Sequence, residues 1–265
     1  MMTDLVKFEV NENNVAIIKL NDPTKLNALS IEMLNQLHEA IKEINEGNTG
    51  ARSLVITGEG RGFCSGANLV DPSGASSFKD FNPGEALERH YHPMLKDLKN
   101  VNVPLITAVN GPAAGAGCSL AIFGDLVYAS KSAYFYQAFK FIGLVPDASS
   151  TYVLPRKIGM ARAMELSMIG EKLPAEKALS WGLINDVVDD KNLMPKVMKI
   201  ATELAEGPTV AYKLIRHLYW DSLSNDFESQ LSAEGTAQTI AGQSEDTKIG
   251  IMSFIQKTKP KFTGK

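Results

Sequence analysis

At 265 residues, with 44% hydrophobic and 22% charged side chains, the chain has the balance of a soluble globular protein able to bury a substantial core, which excludes a disordered chain. A net charge of −3 gives no electrostatic reason to expect nucleic acid or an anionic membrane as a partner. Two cysteines without disulfide or zinc spacing, no apolar run of transmembrane length, and a start (Met1-Met2-Thr3-Asp4) lacking a cationic, then apolar, leader point to a reducing, cytoplasmic setting.

Apolar alternation over residues 5–10 and 15–20, separated by Asn11-Glu12-Asn13-Asn14, predicts a β-hairpin that ends at Asn21-Asp22-Pro23. Ser30 can cap a helix that carries Ile31, Leu34, Leu37, Ile41 and Ile44 on one face, with Gly47 as its stop. Residues 53–57 and 104–109 are β-rich apolar runs that read as parallel strands, each leading into a turn of small residues. Between them, residues 71–82 are rich in Ser, Gly and Pro and read as a loop, followed by a helix over about 84–99. A helix near 115–123 and short strands at 126–129 and 133–135 come next. From Pro174 the chain is largely helical, over 175–181, 191–205, 208–222, 225–241 and 245–258. The expected organisation is a core over 1–205 and a helical region over 206–265.

The two turns carry the chemistry. Gly62-Phe63-Cys64-Ser65-Gly66-Ala67-Asn68-Leu69 and Asn110-Gly111-Pro112-Ala113-Ala114-Gly115-Ala116-Gly117-Cys118-Ser119-Leu120 each follow a predicted buried strand. Small residues let backbone N–H groups approach a ligand, and two converging donors can hold a developing negative charge on a carbonyl oxygen. A plainer use is also open, because tight strand-to-helix connections need small residues for packing alone. Cys64 at such an elbow could instead be a nucleophile, but no triad-like order of His and Asp supports it. Gly115-Ala116-Gly117 lacks the third glycine of a dinucleotide fingerprint.

These turns, with Leu26-Asn27-Ala28-Leu29 and Ile142-Gly143-Leu144-Val145-Pro146, resemble the crotonase, or enoyl-CoA hydratase/isomerase, superfamily over nearly the whole chain. The resemblance implies an α/β fold, a spiral of ββα turns with a C-terminal helical region that drives trimerisation and often a dimer of trimers. It implies that Ala67 and Ala116 donate the two oxyanion N–H groups. It places coenzyme A, carried as the thioester substrate with no other cofactor, against Lys25, Asn27, Ala28, Leu29, Ser65, Ala67, Asn68 and Leu69. Lys261 and Phe262 resemble the family's C-terminal tail, which approaches ribose phosphate and adenine, sometimes from a neighbouring subunit; exposed terminal lysines are otherwise simply solvated.

A typical hydratase of this superfamily carries two glutamates where this chain has Ser119 and Phe139. Neither can exchange a proton with substrate near neutral pH, so ordinary hydration is disfavoured. Asp147 is the carboxylate that remains. The stretch from Gln137 to Asp147 resembles the ring-epoxide isomerases of phenylacetyl-CoA catabolism, whereas Ser149-Ser150 is similar to the Δ3,Δ2-enoyl-CoA isomerases. The expected activity is therefore an acyl-CoA isomerase with Asp147 as proton shuttle, its pKa raised by Phe139, Phe141 and Leu144. Following Pro146, Asp147 could equally cap a helix. The alternatives are an enoyl-CoA hydratase whose water is held by Asp147 alone and a non-catalytic binding relative. His90 and His92, two apart on a helix, do not share a face, so no metal is expected there.

Overall fold

Residues 4–69 and 82–265 are described by the computed structural model. The predicted hairpin forms as β1 (Val6–Val10) and β2 (Val15–Leu20), paired antiparallel with Val6 opposite Leu20. Asn11 closes its turn by accepting from the N–H groups of Asn13 and Val15 through its side chain. Helix α1 (Ile31–Asn45) starts at Ser30, whose Oγ accepts from the Met33 N–H at 3.1 Å, and buries Leu34, Leu37, Ile41 and Ile44.

Strand β3 (Ser53–Gly58) pairs parallel with β2 and is buried along its whole length, as its apolar run requires. The single helix expected over 84–99 is instead broken into α2 (Pro83–Ala86), a π-helical turn (Leu87–Tyr91) and α3 (His92–Lys99). Pro93 accounts for the break, since it brings no N–H to the preceding turn. The loop expected at 71–82 lies almost wholly outside the described residues.

Strand β4 (Leu105–Val109) joins β3 in parallel, and the short β5 (Ala113–Ala114) leads into α4 (Ala116–Ala121). Strands β6 (Leu126–Ser130) and β7 (Tyr134–Tyr136) pair parallel with β4 and β5 respectively. A 3-10 turn (Ala138–Ile142) then precedes α5 (Ser150–Met168), a long helix that hydrophobic periodicity does not announce. Pro155 sits within it, and Gly159 (φ 77, ψ 160) kinks it, so no one face repeats along its length. The remaining elements are β8 (Leu173–Pro174), α6 (Ala175–Ser180), β9 (Asp186–Val188), α7 (Leu193–Ala205), α8 (Thr209–Ser222), α9 (Phe227–Gln243) and α10 (Glu245–Gln256).

The main sheet has the order β1-β2-β3-β4-β6-β9 and the smaller one β5-β7-β8. Alternation divides the main sheet's side chains between two cores. Val15, Val55, Ile106 and Ala108 face α7, whereas Ile18, Leu20, Leu54 and Ile56 share the larger core with α1 and α3. The helical region beyond residue 205 is not wholly detached. Arg216 of α8 is buried, pairs with Asp125, and donates to the carbonyls of Lys99 and Val101 at 3.1 and 2.6 Å. Trp220, one turn later, packs its ring on Phe123 and Tyr152.

Because β2, β3 and β4 run in parallel, the segments that follow them emerge at one end of the sheet. Both glycine-rich turns lie at that end.

Candidate active site

The two turns interlock through backbone pairing. Cys64 forms a parallel bridge with Ala113: the Cys64 N–H donates to Pro112 O at 3.1 Å and Cys64 O accepts from the Ala114 N–H at 2.9 Å. Asn110 fastens the arrangement, its side chain accepting from the Gly58 N–H at 3.1 Å and donating to Gly60 O at 2.9 Å. Gly117 is seated against Cys64 so closely that a Cβ there would fall 2.3 Å from Cys64 O.

Segment 25–29 forms the second wall. Ser65 donates from its N–H to Leu26 O and from Oγ to Lys25 O, both at 2.9 Å. Leu29 bridges Ala67 in parallel, donating to Gly66 O at 2.8 Å while its carbonyl accepts from the Asn68 N–H at 3.0 Å. In such a bridge one residue makes both bonds, so the N–H of the opposite residue, Ala67, points away from the pair. Neither it nor the Ala116 N–H, the first of α4, donates to a carbonyl among the described residues.

Gly66 has φ of 102° and Gly115 φ of 51°, conformations that favour glycine. A Cβ on Gly66 would lie 2.9 Å from Ala114 O and 3.7 Å from the Ala116 N, and one on Gly115 would lie 3.9 Å from Phe139 Cζ. The free N–H groups of Ala67 and Ala116 thus flank the same close contact between turns, with the Phe139 ring beside it. Two free donors side by side can hold an oxyanion.

Asp147 completes the group. Its carbonyl accepts from Ser119 Oγ at 2.9 Å, which ties it to α4 one turn beyond Ala116. Its carboxylate atom Oδ1 is buried with no hydrogen-bond partner among the described residues, and this burial raises its pKa to about 6. The helix-cap alternative is not what forms. The N-cap of α5 is Ser149, in a left-handed conformation, and the Asp147 side chain caps nothing. Phe139 is buried as expected, but Phe141 is 59% exposed and packs on Tyr136, so it does not provide the burial.

The family of enoyl-CoA hydratases and isomerases matches this chain over residues 10–265. The chain belongs to that family. It is 42% identical to the 1,2-epoxyphenylacetyl-CoA isomerase of Escherichia coli K12, over 96% of this chain and 97% of the relative. It is 40% identical to a protein of Rhodobacter capsulatus named as a probable enoyl-CoA hydratase, over 98% of each chain. The crystal structure of an enoyl-CoA hydratase from Bacillus anthracis superposes with a TM-score of 0.91 at 27% identity, covering 98% of this chain and all of that one. The architecture is accordingly the crotonase fold, and acyl-CoA thioesters are the ligands that suit the family.

Within this family member, the candidate ligand-binding residues separate into two groups. Lys25, Ala28, Leu29, Ser65, Ala67 and Asn68 are brought together by the pairing just described, whereas Leu69, next in the chain, is exposed. Asn27 joins them through its backbone alone. Its buried side chain accepts from the Asp22 N–H and donates to the carbonyls of Glu59, Gly62 and Phe63, leaving nothing free for a ligand. Lys25 is exposed and paired with Asp22 at 3.6 Å.

Lys261 and Phe262 are not brought to this group. Phe262 O accepts from Arg52 Nη1 at 3.3 Å, and Arg52 immediately precedes β3, whereas the first turn follows it. Six residues of strand, about 20 Å, separate the two ends.

Sequence reasoning also missed Tyr91. It is buried at the end of the π-helical turn, and its phenol pKa is pushed up by burial and by its nearness to Asp147 and Cys64. The only local sign was its place before His92-Pro93, where an unbroken helix cannot run. Cys64 and Cys118 are buried thiols whose pKa values rise to about 12, so the thiolate that a cysteine nucleophile needs is suppressed. His90 sits 3.3 Å from Asn35 Oδ1 and His38 2.7 Å from Asp97. Among the described residues no group of three or more metal-binding side chains is assembled, and no helix is long and apolar enough to cross a membrane.

Proposed function

We propose that the protein is an acyl-CoA isomerase that moves a double bond, or isomerises a ring epoxide, through a thioester enolate. Asp147 carries this reading: its half-buried carboxylate keeps Oδ1 buried with no hydrogen-bond partner among the described residues, near two free backbone donors, and Ser119 and Phe139 stand where a hydratase of the family needs glutamates. The Ala67 and Ala116 N–H groups polarise the thioester carbonyl, lowering the cost of removing a proton from C2. Asp147 takes that proton as the carboxylate, the electron pair spreads into a dienolate, and the acid returns the proton to C4. The double bond thereby moves from the 3,4 to the 2,3 position with no change of oxidation state, so the reaction as proposed calls for no metal or redox cofactor. A pKa of about 6 suits a group that must both accept and return a proton near neutrality.

Phe139 shapes the acyl pocket. The likeness to the Escherichia coli isomerase favours an aromatic acyl group, and a linear 3-enoyl thioester is the simpler substrate of the same chemistry. The assembly in this reading is a homotrimer or homohexamer. Tyr219, Phe227, Phe254 and Ile255 expose apolar side chains on α8, α9 and α10, which a neighbouring subunit would cover. A neighbour docked there is also the route by which Lys261 and Phe262 reach a site, since they lie far from their own.

The test follows the conversion of 3-hexenoyl-CoA by conjugated-enoyl absorbance, with the wild type beside Asp147→Asn and with crotonyl-CoA hydration measured in parallel. Isomerisation should exceed hydration, and the variant should lose roughly 10³-fold or more in kcat. Near-normal isomerisation by Asp147→Asn, or faster hydration than isomerisation, would overturn the assignment. An aromatic ring-epoxide thioester replaces the linear one if the wild type ignores it, with the same requirement on the variant.

A further inference from the structure

We propose that Ser119 is a positioning residue, a strut that sets the Asp147 base against the Ala116 N–H; this rests on the isomerase reading above. Ser119 is fully buried on α4, one turn after Ala116, and its single hydroxyl proton has two acceptors in view. Gly115 O, in its own helix, lies at 3.4 Å, and Asp147 O, 28 residues on, at 2.9 Å. One O–H makes one good bond, and the distances give it to Asp147.

The bond matters because no hydrogen bond among the described residues holds the Asp147 carboxylate at Oδ1, so its position follows from that of the backbone. That backbone is awkward. Ala148 and Ser149, immediately after it, have φ of 47° and 75°. Each costs roughly 1–2 kcal/mol for a residue with a side chain and persists only where its surroundings over-determine it. Three donors on Asp147 O supply that constraint: Ser119 Oγ at 2.9 Å, Ser150 Oγ at 2.9 Å and the Ser150 N–H at 3.0 Å. The two from Ser150 are local and would travel with Asp147 if the segment shifted. Of the three, only the bond from Ser119 reaches the helix whose first N–H faces the thioester. The residue that replaces a hydratase glutamate therefore still serves the reaction, by holding the remaining carboxylate in place rather than by moving a proton.

Steady-state kinetics on 3-hexenoyl-CoA (or the ring-epoxide thioester, whichever the wild type turns over) with Ser119→Ala, Ser150→Ala and Asp147→Asn tests the strut. Ser119→Ala should lower kcat roughly 10- to 100-fold with KM within about twofold, because the substrate still binds but meets a displaced base. Ser150→Ala, which removes a hydroxyl from the same carbonyl oxygen, should cost less than about threefold, its backbone donor remaining. Wild-type kcat in Ser119→Ala, or equal losses in the two serine variants, would assign Ser119 to ordinary fold support and overturn the proposal. If Ser119→Ala does not fold, Ser119→Cys, similar in shape but a weak donor, carries the same expectation. The Asp147→Asn control separates the failures. An active Asp147→Asn sinks the isomerase reading itself, whereas an inactive one beside a fully active Ser119→Ala sinks only the strut.

Discussion

Two aspartates, Asp246 buried and Asp147 half-buried, lie toward opposite ends of the main sheet and are treated in opposite ways. Asp246, 1% exposed, has every bond it needs: Oδ1 accepts from the N–H and Oγ1 of Thr263 at 2.6 and 3.2 Å, and Oδ2 from the Gly264 N–H at 2.9 Å. Beside that tail, Arg52 donates to Thr209 Oγ1, Phe262 O and Gly207 O at 2.9, 3.3 and 2.6 Å. Asp147, at the other end, keeps a buried oxygen unpartnered beside two left-handed residues and two idle N–H groups. A fold gains stability by satisfying buried polar groups, so one end reads as fastening. Unsatisfied groups gathered around strained backbone are what a site waiting for a ligand looks like.

The contrast breaks most sharply at Gly66. A Cβ there meets Ala114 O at 2.9 Å in a backbone at φ of 102°, so Gly66→Ala must shift the turn that aims the Ala67 N–H. Loss of one oxyanion donor costs roughly 10²–10³ in kcat, and that is the fall expected for this variant. Steady-state kinetics on whichever thioester the wild type isomerises checks it; unaltered kcat would mean that the Ala67 N–H plays no part.

Asp246→Ala is the matching change at the fastened end. It strips two backbone donors and a hydroxyl of their acceptor, and the expected loss is about 2–3 kcal/mol of stability. Denaturant melts read that loss, and kcat should stay within about twofold because the two glycine-rich turns are a sheet length away. A rise in KM for the CoA thioester, with kcat held, would show that the released tail carries Lys261 and Phe262 toward a site.

How much of this contrast was legible in the sequence depended on where the determining force is local. The hairpin, α1 and the parallel strands β3 and β4 follow from alternation, a serine cap and buried apolar runs, and they form close to the expected boundaries. The two turns were legible because their close mutual approach needs small residues at fixed spacing, as at Gly66 and Gly117. Helix α5 was not, since Pro155 and the kink at Gly159 erase the periodicity that announces a helix. The single helix expected over 84–99 failed at Pro93 for a related reason. Tyr91 and the Ser119 contact were invisible because each depends on a partner far along the chain, Asp147 for both. Asn27 shows the converse: the position was found by resemblance, yet its side chain serves the fold.

The finest test of the comparison is the stability of Asp147→Asn as a function of pH. Burial raises the Asp147 pKa from its ordinary value near 3.8 to about 6, so between those values the folded state binds more protons than the unfolded one. Below the lower value both states are protonated and the carboxyl costs nothing by ionising. As pH rises through about 6 the folded protein must ionise a desolvated acid, and stability falls relative to a neutral amide. Tyr91 and Cys64, the titratable groups that feel Asp147 or share its surroundings, are both pushed upward and stay neutral over this range. Asp147→Asn should therefore match the wild type near pH 4 and exceed it by on the order of 3 kcal/mol near pH 8, in denaturant melts at the two pH values. Wild-type kcat should rise over the same interval, because only the carboxylate removes a proton from C2. A variant with no advantage at pH 8 would mean that the carboxylate is solvated after all, and the difference between the two aspartates would reduce to hydrogen bonding alone.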